Sequence, residues 1–255
     1  MIQYLSDKKI GFDFTKNKMP NWGRCNTKEL YKFYRACEVN HNIGDITSCT
    51  ELPYADLWTY SFPCTDISIA GNQKGVVKNL TRSGLVYEVT RLLETAISNG
   101  TSPKYLLMEN VDALVSKRFK PIFEALIEWF DEHNYNTYWQ ILNAKDHGVP
   151  QNRKRVFALH VRKDVDNGRF KFPIPYDSGI RLRDILDENV DEKYYLSKGV
   201  SERFHSVENK GQNIIGSTAP PFRTIGQRDL VYNKNTEVGT LTATDCKQPK
   251  QIIGG

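Results

Sequence analysis

The sequence predicts an α/β fold around a mostly parallel β-sheet, followed by a smaller region of different character. Two observations support this prediction. Between residues 55 and 161, β-prone segments alternate with helical ones, the pattern produced by strand–helix–strand crossovers. After about residue 164, the segments become short and rich in Gly, Pro, Asn and charge. We therefore place a domain boundary there, with one domain over 1–165 and a second region over 166–255.

The elements of the first domain follow from hydrophobic periodicity. Helices are predicted where apolar residues recur at i, i+3 and i+4, and strands where short apolar or β-branched runs occur. The run at 104–108 is almost continuously apolar, which is typical of a strand buried on both faces. The predicted strands cover 55–61, 104–108, 136–142 and 155–161, and the predicted helices cover 27–37, 82–98 and 121–132. Beyond the boundary, a helix is predicted only at 182–186.

Composition is that of a globular protein, with 39% hydrophobic and 25% charged residues among 255. No run of about 18 apolar residues is present, so we expect no membrane-spanning helix. The five cysteines are scattered without a CxxC pair, which argues against a disulfide framework or a zinc site and favours a reducing cytoplasm. We therefore expect a cytoplasmic protein without a metal site.

The positive charge is concentrated in the second half of the chain. Residues 1–149 hold 17 Lys and Arg against 17 Asp and Glu, whereas residues 150–255 hold 18 against 13. The net charge of +5 therefore lies entirely after residue 149. A basic bias of this kind suits a polyanionic partner, although many solvated surfaces reach the same value.

Three predicted strands are followed by loops with polar side chains, at 61–68, 109–111 and 148–155. In α/β sheets, functional residues lie in the loops beyond the carboxyl ends of the strands. The residues of each loop could also have a purely structural role instead of a functional one. A lone cysteine such as Cys64 is more often a small buried hydrophobe, a Glu-Asn pair is commonly a cap, and an Arg-Lys-Arg run is usually solvated.

Taken together, these segments resemble the motifs of DNA (cytosine-5) methyltransferases of the bacterial and phage restriction–modification type. SFPCTDISIAG (61–71) resembles their Pro-Cys motif, and TRSGLVYEVTRLLE (81–94) the motif that follows it. PKYLLMENVDAL (103–114) resembles the Glu-Asn-Val motif, and LNAKDHGVPQNRKRVFAL (142–159) the Gln-x-Arg-x-Arg motif. NIGDI (42–46) resembles the segment that contacts the adenine of S-adenosylmethionine. GTLTATD (239–245) resembles the stretch that closes the target recognition region.

The resemblance implies a Rossmann-like S-adenosylmethionine-dependent methyltransferase fold, with a partial catalytic domain over 1–165 and a target recognition region over 166–255. It implies methyl transfer to C5 of cytosine in a specific sequence of double-stranded DNA, with the base flipped out of the stack. A thiolate that adds at C6 makes C5 nucleophilic, and the resemblance gives this role to Cys64. Glu109 is implied to donate a proton or hydrogen bond near N3, with Asn110 holding its loop.

The resemblance also assigns the remaining site residues. Arg155 is implied to contact the cytosine O2, while Arg153 supports the site and a phosphate. The implied cofactor-binding residues are Asp45, Ile46, Pro63 and Leu85. The implied substrate-binding residues are Ser61, Pro63, Thr65, Asn110 and Gln151. Candidate phosphate or base contacts in the second region are Arg181, Arg183, Arg203, Arg223 and Arg228, more than half of which we expect to be ordinary surface residues.

The sequence departs from the family pattern in several places. Thr65 replaces the usual glutamine, and Trp58 replaces a smaller apolar residue. No GxG occurs in the chain, so we expect the glycine-rich cofactor loop and the family's closing motif to lie outside it. The chain is then either a fragment of a longer enzyme or a subunit completed by a second chain. Two alternatives stay open: a non-catalytic or vestigial DNA-binding product, and an enzyme that methylates RNA cytosine.

Overall fold

The computed structural model describes residues 1–13, 16–62, 85–207, 213–226, 229–241 and 251–252. The chain divides into two compact units. The first unit contains Met1–Tyr138 and Ala158–Gly168, and the second contains Trp139–Phe157 and Arg169–Gly255. The α-helices of the described residues are α1 (Ile2–Asp7), α2 (Thr27–Val39), α3 (Val86–Ser98), α4 (Lys120–Glu132) and α5 (Lys198–Ser201). The strands are β1 (Leu57–Ser61), β2 (Tyr105–Val111), β3 (Tyr135–Asn143), β4 (Gln151–Asn152), β5 (Lys154–Arg162), β6 (Ile214–Ser217), β7 (Leu230–Tyr232), β8 (Val238–Gly239) and β9 (Gln251–Ile252).

A four-stranded sheet has the strand order β1-β2-β5-β3. Strands β1 and β2 are parallel. Strand β5 is antiparallel to both neighbours, β2 and β3. At the end of β5, the Arg162 N–H donates to the Lys104 carbonyl, just before β2 begins (2.9 Å). The Lys163 N–H donates to the Asn134 carbonyl, just before β3 begins (2.8 Å). Three of these four strands therefore point the same way, although β1–β2 is the one parallel neighbouring pair among them, and the predicted α/β fold is confirmed.

Helices α3 and α4 cover one face of this sheet. Their apolar residues join a core that contains Trp58, Leu92, Leu93, Ala96, Leu106, Phe130 and Tyr135. Burial of each large side chain contributes about 1.5–3 kcal/mol. Trp58 is 9% exposed, so the residue that departs from the family pattern is a core residue in this chain.

Strand β2 differs from the prediction that it is buried on both faces. Its residues alternate strictly between buried and half-buried positions. Leu106 and Met108 are fully buried, while Tyr105 and Leu107 on the opposite face are half-buried. The apolar run at 104–108 therefore has one face that is fully buried and one face that is partly exposed.

The N-terminal segment forms a small cluster that the sequence did not predict. Helices α1 and α2 enclose Leu5, Ile10, Leu30 and Cys37. Helix α1 has only six residues, too few for hydrophobic periodicity to be recognised. Among the described residues, no helix combines the length and apolar character needed to cross a bilayer.

The second unit consists of short strands and turns. Strands β4 and β8 form a parallel pair, and β7 lies between β6 (antiparallel) and β9 (parallel). A small core contains Leu182, Tyr232 and Val238. The helix predicted at 182–186 is a 3-10 turn, Leu182–Ile185, closed by the Asp184 carboxylate, which accepts the Arg181 N–H at 2.7 Å.

Candidate active site

The carboxyl ends of β1 and β2 bring two candidate substrate-binding and catalytic residues together. Ser61 and Glu109 are register partners in the parallel pair. The Ser61 hydroxyl donates to Glu109 Oε2 at 3.2 Å. Both lie on the exposed face of the strand pair, since Ser61 is exposed and Glu109 half-buried. A carboxyl group is thereby presented at the carboxyl end of β1.

Asn110 fixes the chain where that loop begins. Its side chain is on the buried face, and the residue is 2% exposed. The Asn110 Nδ2 donates to the Phe62 carbonyl at 3.2 Å, and its Oδ1 accepts the Val111 N–H at 2.9 Å. A buried amide with both ends bonded is costly to disturb. Phe62 directly precedes Pro63, Cys64 and Thr65, which lie outside the described residues.

The candidate cofactor segment forms a tight 3-10 turn, Ile46–Ser48. The Asp45 carboxylate accepts the Thr47 N–H at 3.0 Å and the Thr47 hydroxyl at 2.8 Å. Its side chain is 4% exposed, and Lys9 Nζ lies 3.9 Å from it. The Asp45 N–H donates to the Lys8 carbonyl at 3.0 Å, which ties the turn to the N-terminal segment. Asp45 therefore shapes the turn that presents Ile46.

Arg91 of α3 reaches this turn, a contact that the sequence did not predict. Its Nη2 donates to the Ile46 carbonyl at 3.1 Å and to the Cys49 carbonyl at 2.7 Å. Its Nε donates to Glu88 at 2.8 Å. Leu85, another candidate cofactor residue, directly precedes α3. Arg91 lies within the motif at 81–94, but its partners are more than 40 positions away, which no local pattern reveals.

A cavity of about 310 Å³ opens beside Ile46. Its walls are mostly apolar: Ile46, Leu52, Pro53, Ala55, Trp58, Thr59, Tyr60, Val89 and Leu92. A largely apolar cavity bordered by a few polar groups is the usual setting for a flat ring such as a purine. The described residues therefore fit the adenine end of S-adenosylmethionine.

A buried histidine, His160, lies beside Tyr60, the residue that precedes Ser61 in β1. The rings of His160 and Phe130 are stacked with centroids 3.5 Å apart. His160 Nε2 lies 2.8 Å from the Tyr60 hydroxyl, and Nδ1 lies 2.8 Å from the Thr137 hydroxyl. Burial lowers the pKa of His160 to about 3 and raises the pKa of Tyr60. Both groups are therefore neutral, and they link β1, β5 and β3 without a charge.

In the second unit, Gln151, Arg153 and Arg155 follow one another on an extended segment. These three are half-buried, while the intervening Asn152 and Lys154 are exposed, which indicates that the two arginines lie on the same side of the segment. The segment is held by Asn143, whose Oδ1 accepts the Arg153 N–H at 2.9 Å.

The start of the segment GTLTATD lies against this extended segment. Strand β8 pairs with β4, with Val238 opposite Gln151. The Thr240 hydroxyl donates to the Asn152 carbonyl at 2.9 Å, and Arg153 Nη1 donates to the Leu241 carbonyl at 3.4 Å. The sequence identified both motifs but not this pairing, because the segments are about 88 positions apart.

Four of the five candidate DNA-contacting arginines make internal contacts. Arg181 pairs with Asp177 at 2.7 Å, which also lowers the pKa of that carboxyl. Arg183 donates to Asn235 at 3.0 Å, and Arg203 donates to the Gly199 carbonyl at 2.6 Å. Arg223 pairs with Asp229. Arg228 lies outside the described residues. The described residues contain no group of three or more His, Cys, Asp or Glu side chains placed to hold a metal ion.

Comparison with known proteins identifies the family. The family model for C-5 cytosine-specific DNA methylases matches residues 5–254. The type II methyltransferase M2.ScrFI of Lactococcus lactis subsp. cremoris is 40% identical over 77% of this chain and 53% of its own length. The orphan methyltransferase M.SssI of Spiroplasma monobiae is 31% identical over 100% of this chain and 67% of its own length.

The solved structure of the Entamoeba histolytica methyltransferase EhMeth is similar in fold, with a TM-score of 0.53 and 16% identity over 96% of this chain and 62% of that one. The chain thus spans about half to two thirds of the length of these three proteins. The match of the family model over nearly all of its residues, with motifs that fall at strand ends, shows that the chain belongs to the C-5 cytosine-specific DNA methylase family.

Proposed function

We propose that this chain carries the target-cytosine site of an enzyme that transfers a methyl group from S-adenosylmethionine to C5 of cytosine in a specific duplex DNA sequence. The observation that supports it best is the arrangement at the ends of β1 and β2. There Glu109 is held beside Ser61, and Asn110 anchors Phe62 directly before the Pro63-Cys64 pair.

In the proposed reaction, the Cys64 thiolate adds to C6 of a flipped cytosine. Glu109 donates a proton or hydrogen bond at N3, which offsets the charge that develops on the ring. S-adenosylmethionine, when bound, supplies an electrophilic methyl group. C5 would then bond to that methyl as the methyl–sulfonium bond breaks and S-adenosylhomocysteine leaves. Loss of the C5 proton to water, return of the N3 proton to Glu109 and cleavage of the S–C6 bond would restore the aromatic ring and the thiolate.

The remaining candidate residues have supporting roles. Asp45, Ile46, Pro63 and Leu85 would hold the cofactor, with Ile46 beside the apolar cavity. Ser61 and Thr65 would border the base.

The residues of the second unit would act on DNA. Arg155 would contact the cytosine O2, and Arg153 a phosphate, from the segment that begins with Gln151. The region 166–255 would read the target sequence, and the basic excess after residue 149 supports an anionic partner.

The test is a covalent trap. DNA that carries 5-fluorocytosine at the target lacks the C5 proton, so elimination is blocked and the adduct persists through denaturation. The chain, supplied together with the glycine-rich loop and closing motif expected outside it and incubated with S-adenosylmethionine and this DNA, should give an adduct that Cys64→Ser abolishes. Cys25→Ser, which changes an exposed cysteine, is the matched control and should leave the adduct intact. An adduct that survives Cys64→Ser, or turnover without any adduct, would contradict the proposal. DNA binding without turnover or adduct would favour a non-catalytic binder.

A further inference from the structure

Arg91 joins two parts of the first unit that are distant in sequence. It belongs to α3, and its guanidinium donates to the carbonyls of Ile46 and Cys49. These carbonyls lie at the start and just past the end of the 3-10 turn, so one side chain spans the whole turn. Charge-assisted hydrogen bonds of this kind are about twice as strong as neutral ones.

The guanidinium is itself held in place. Glu88, one turn earlier on α3, accepts from Arg91 Nε at 2.8 Å, and its side chain is 16% exposed. Arg91 therefore uses Nε on its own helix and Nη2 on the turn. Lysine could not reproduce this arrangement, since a single ammonium on a flexible stem lacks the planar fork of donors.

The turn carries Ile46, which borders the cavity of about 310 Å³, and α3 is preceded directly by Leu85. The same cavity is lined by Val89 and Leu92 of α3. Arg91 thus fixes the distance between the wall formed by the turn and the wall formed by the helix. Losing this link would let the walls separate without removing any side chain from the cavity itself.

We propose that Arg91 is a positioning residue for the cofactor: it holds the Ile46–Ser48 turn against α3, and so sets the affinity for the adenine end of S-adenosylmethionine. The inference rests on the proposed function. It assigns Arg91 an effect on cofactor binding and none on the chemical step, because the guanidinium uses its Nε and Nη2 donors on Glu88 and on the turn carbonyls of Ile46 and Cys49.

The test compares Arg91→Met and Arg91→Lys with a matched control, Arg35→Met, each in the protein completed with the expected cofactor loop and closing motif. Arg35 pairs with Glu38 three residues away at 2.6 Å, as Arg91 does with Glu88, but Arg35 lies on α2 and is 53% exposed. Binding of S-adenosylhomocysteine is measured by calorimetry. The KM for S-adenosylmethionine, the KM for DNA and kcat are measured separately. Amide exchange of Ser48 and Cys49, whose N–H groups close the turn, provides a readout independent of activity.

Arg91→Met should weaken S-adenosylhomocysteine binding about tenfold or more and raise the KM for S-adenosylmethionine equally. The KM for DNA and kcat at saturating cofactor should stay within about twofold, and exchange at Ser48 and Cys49 should accelerate. Arg91→Lys should lie between the wild type and Arg91→Met, and Arg35→Met should match the wild type.

Unchanged S-adenosylhomocysteine affinity in Arg91→Met would overturn the inference, as would a lowered kcat with unchanged affinity. If Arg91→Met does not fold, Arg91→Lys and Glu88→Gln decide, and normal affinity in both would overturn it. A wild-type protein, completed with the expected cofactor loop and closing motif, that neither binds S-adenosylhomocysteine nor forms the 5-fluorocytosine adduct would instead refute the proposed function itself.

Discussion

Lowering the pH from 7 to 5 is expected to destabilise the first unit, because His160 is buried there as a neutral imidazole. The residue is 0% exposed, and both ring nitrogens have hydroxyl partners at 2.8 Å, Tyr60 and Thr137. Protonation would place a charge among apolar groups, including the stacked Phe130 ring. Burial accordingly lowers the pKa of His160 to about 3, whereas an unfolded chain has a histidine pKa of about 6.5.

The sign and size of the effect follow from linkage. Between these two pKa values the unfolded chain binds one more proton than the folded protein, so the stabilisation is complete above about pH 6.5 and is lost as the pH falls. Each pH unit in this window costs about 1.4 kcal/mol. From pH 7 to pH 5 the contribution of His160 falls by about 2 kcal/mol, which corresponds to about 4–8 °C in Tm.

Urea unfolding of the protein at pH 7, 6 and 5, followed by tryptophan fluorescence, measures this loss. His160→Gln should be less stable at pH 7, because it disturbs two hydrogen bonds, but its free energy of unfolding should fall by about 2 kcal/mol less than that of the wild type on acidification. His41→Gln, which removes an exposed histidine, should follow the wild type. Equal pH dependence in wild type and His160→Gln would refute the assignment.

Three further predictions concern the candidate active site. Glu109→Gln should preserve DNA binding and slow methyl transfer by about 10²-fold or more, measured in single-turnover assays; an unchanged rate at saturating cofactor would refute its acid role. Asn110→Ala should cost about 1–3 kcal/mol in urea unfolding, because the Phe62 carbonyl loses its partner, and should reduce adduct yield. DNA affinity should fall steeply between about 50 and 200 mM salt in fluorescence anisotropy, and a flat profile would contradict phosphate binding by Arg153.

The central elements could be predicted from the sequence because their cause is local. The strand predicted at 104–108 is Tyr105–Val111, and the helix predicted at 121–132 is Lys120–Glu132. In both, side-chain periodicity along the chain matches the geometry that packing against one face requires. The ends differ by a few residues, since the last turns and strand ends depend on neighbours rather than on periodicity.

What the sequence could not give was the set of long-range contacts. The direction of β5, the pairing of β8 with β4, and the reach of Arg91 to the Ile46 carbonyl each join segments that carry no mutual signal in composition or spacing. The 3-10 turn at Leu182–Ile185 was predicted as a helix because four apolar or charged residues fit either geometry. These contacts follow from tertiary packing, which a single sequence does not display.

The packing of β2 explains why the adjacent residues Glu109 and Asn110 point to opposite faces of the strand. Leu106, Met108 and Asn110 are every second residue of β2 and lie on its buried face. Burial of the two apolar residues therefore places Asn110 in the interior as well. Glu109 must then project to the opposite, half-exposed face, where Ser61 meets it. A register slip of one residue would exchange the faces and turn the carboxyl inward.

The same register also fixes the position of Phe62, two residues before Cys64. Trp58 pairs with Leu106, and Ser61 with Glu109, so the apolar pair deep in the sheet sets which residues meet at its carboxyl end. Asn110 then bonds the Phe62 carbonyl, two residues before Cys64. The core therefore positions the last described residue before the proposed nucleophile. Burial of Trp58 and Leu106 fixes the strand register, the register brings Asn110 within reach of Phe62, and the bond to the Phe62 carbonyl holds the chain two residues before Cys64.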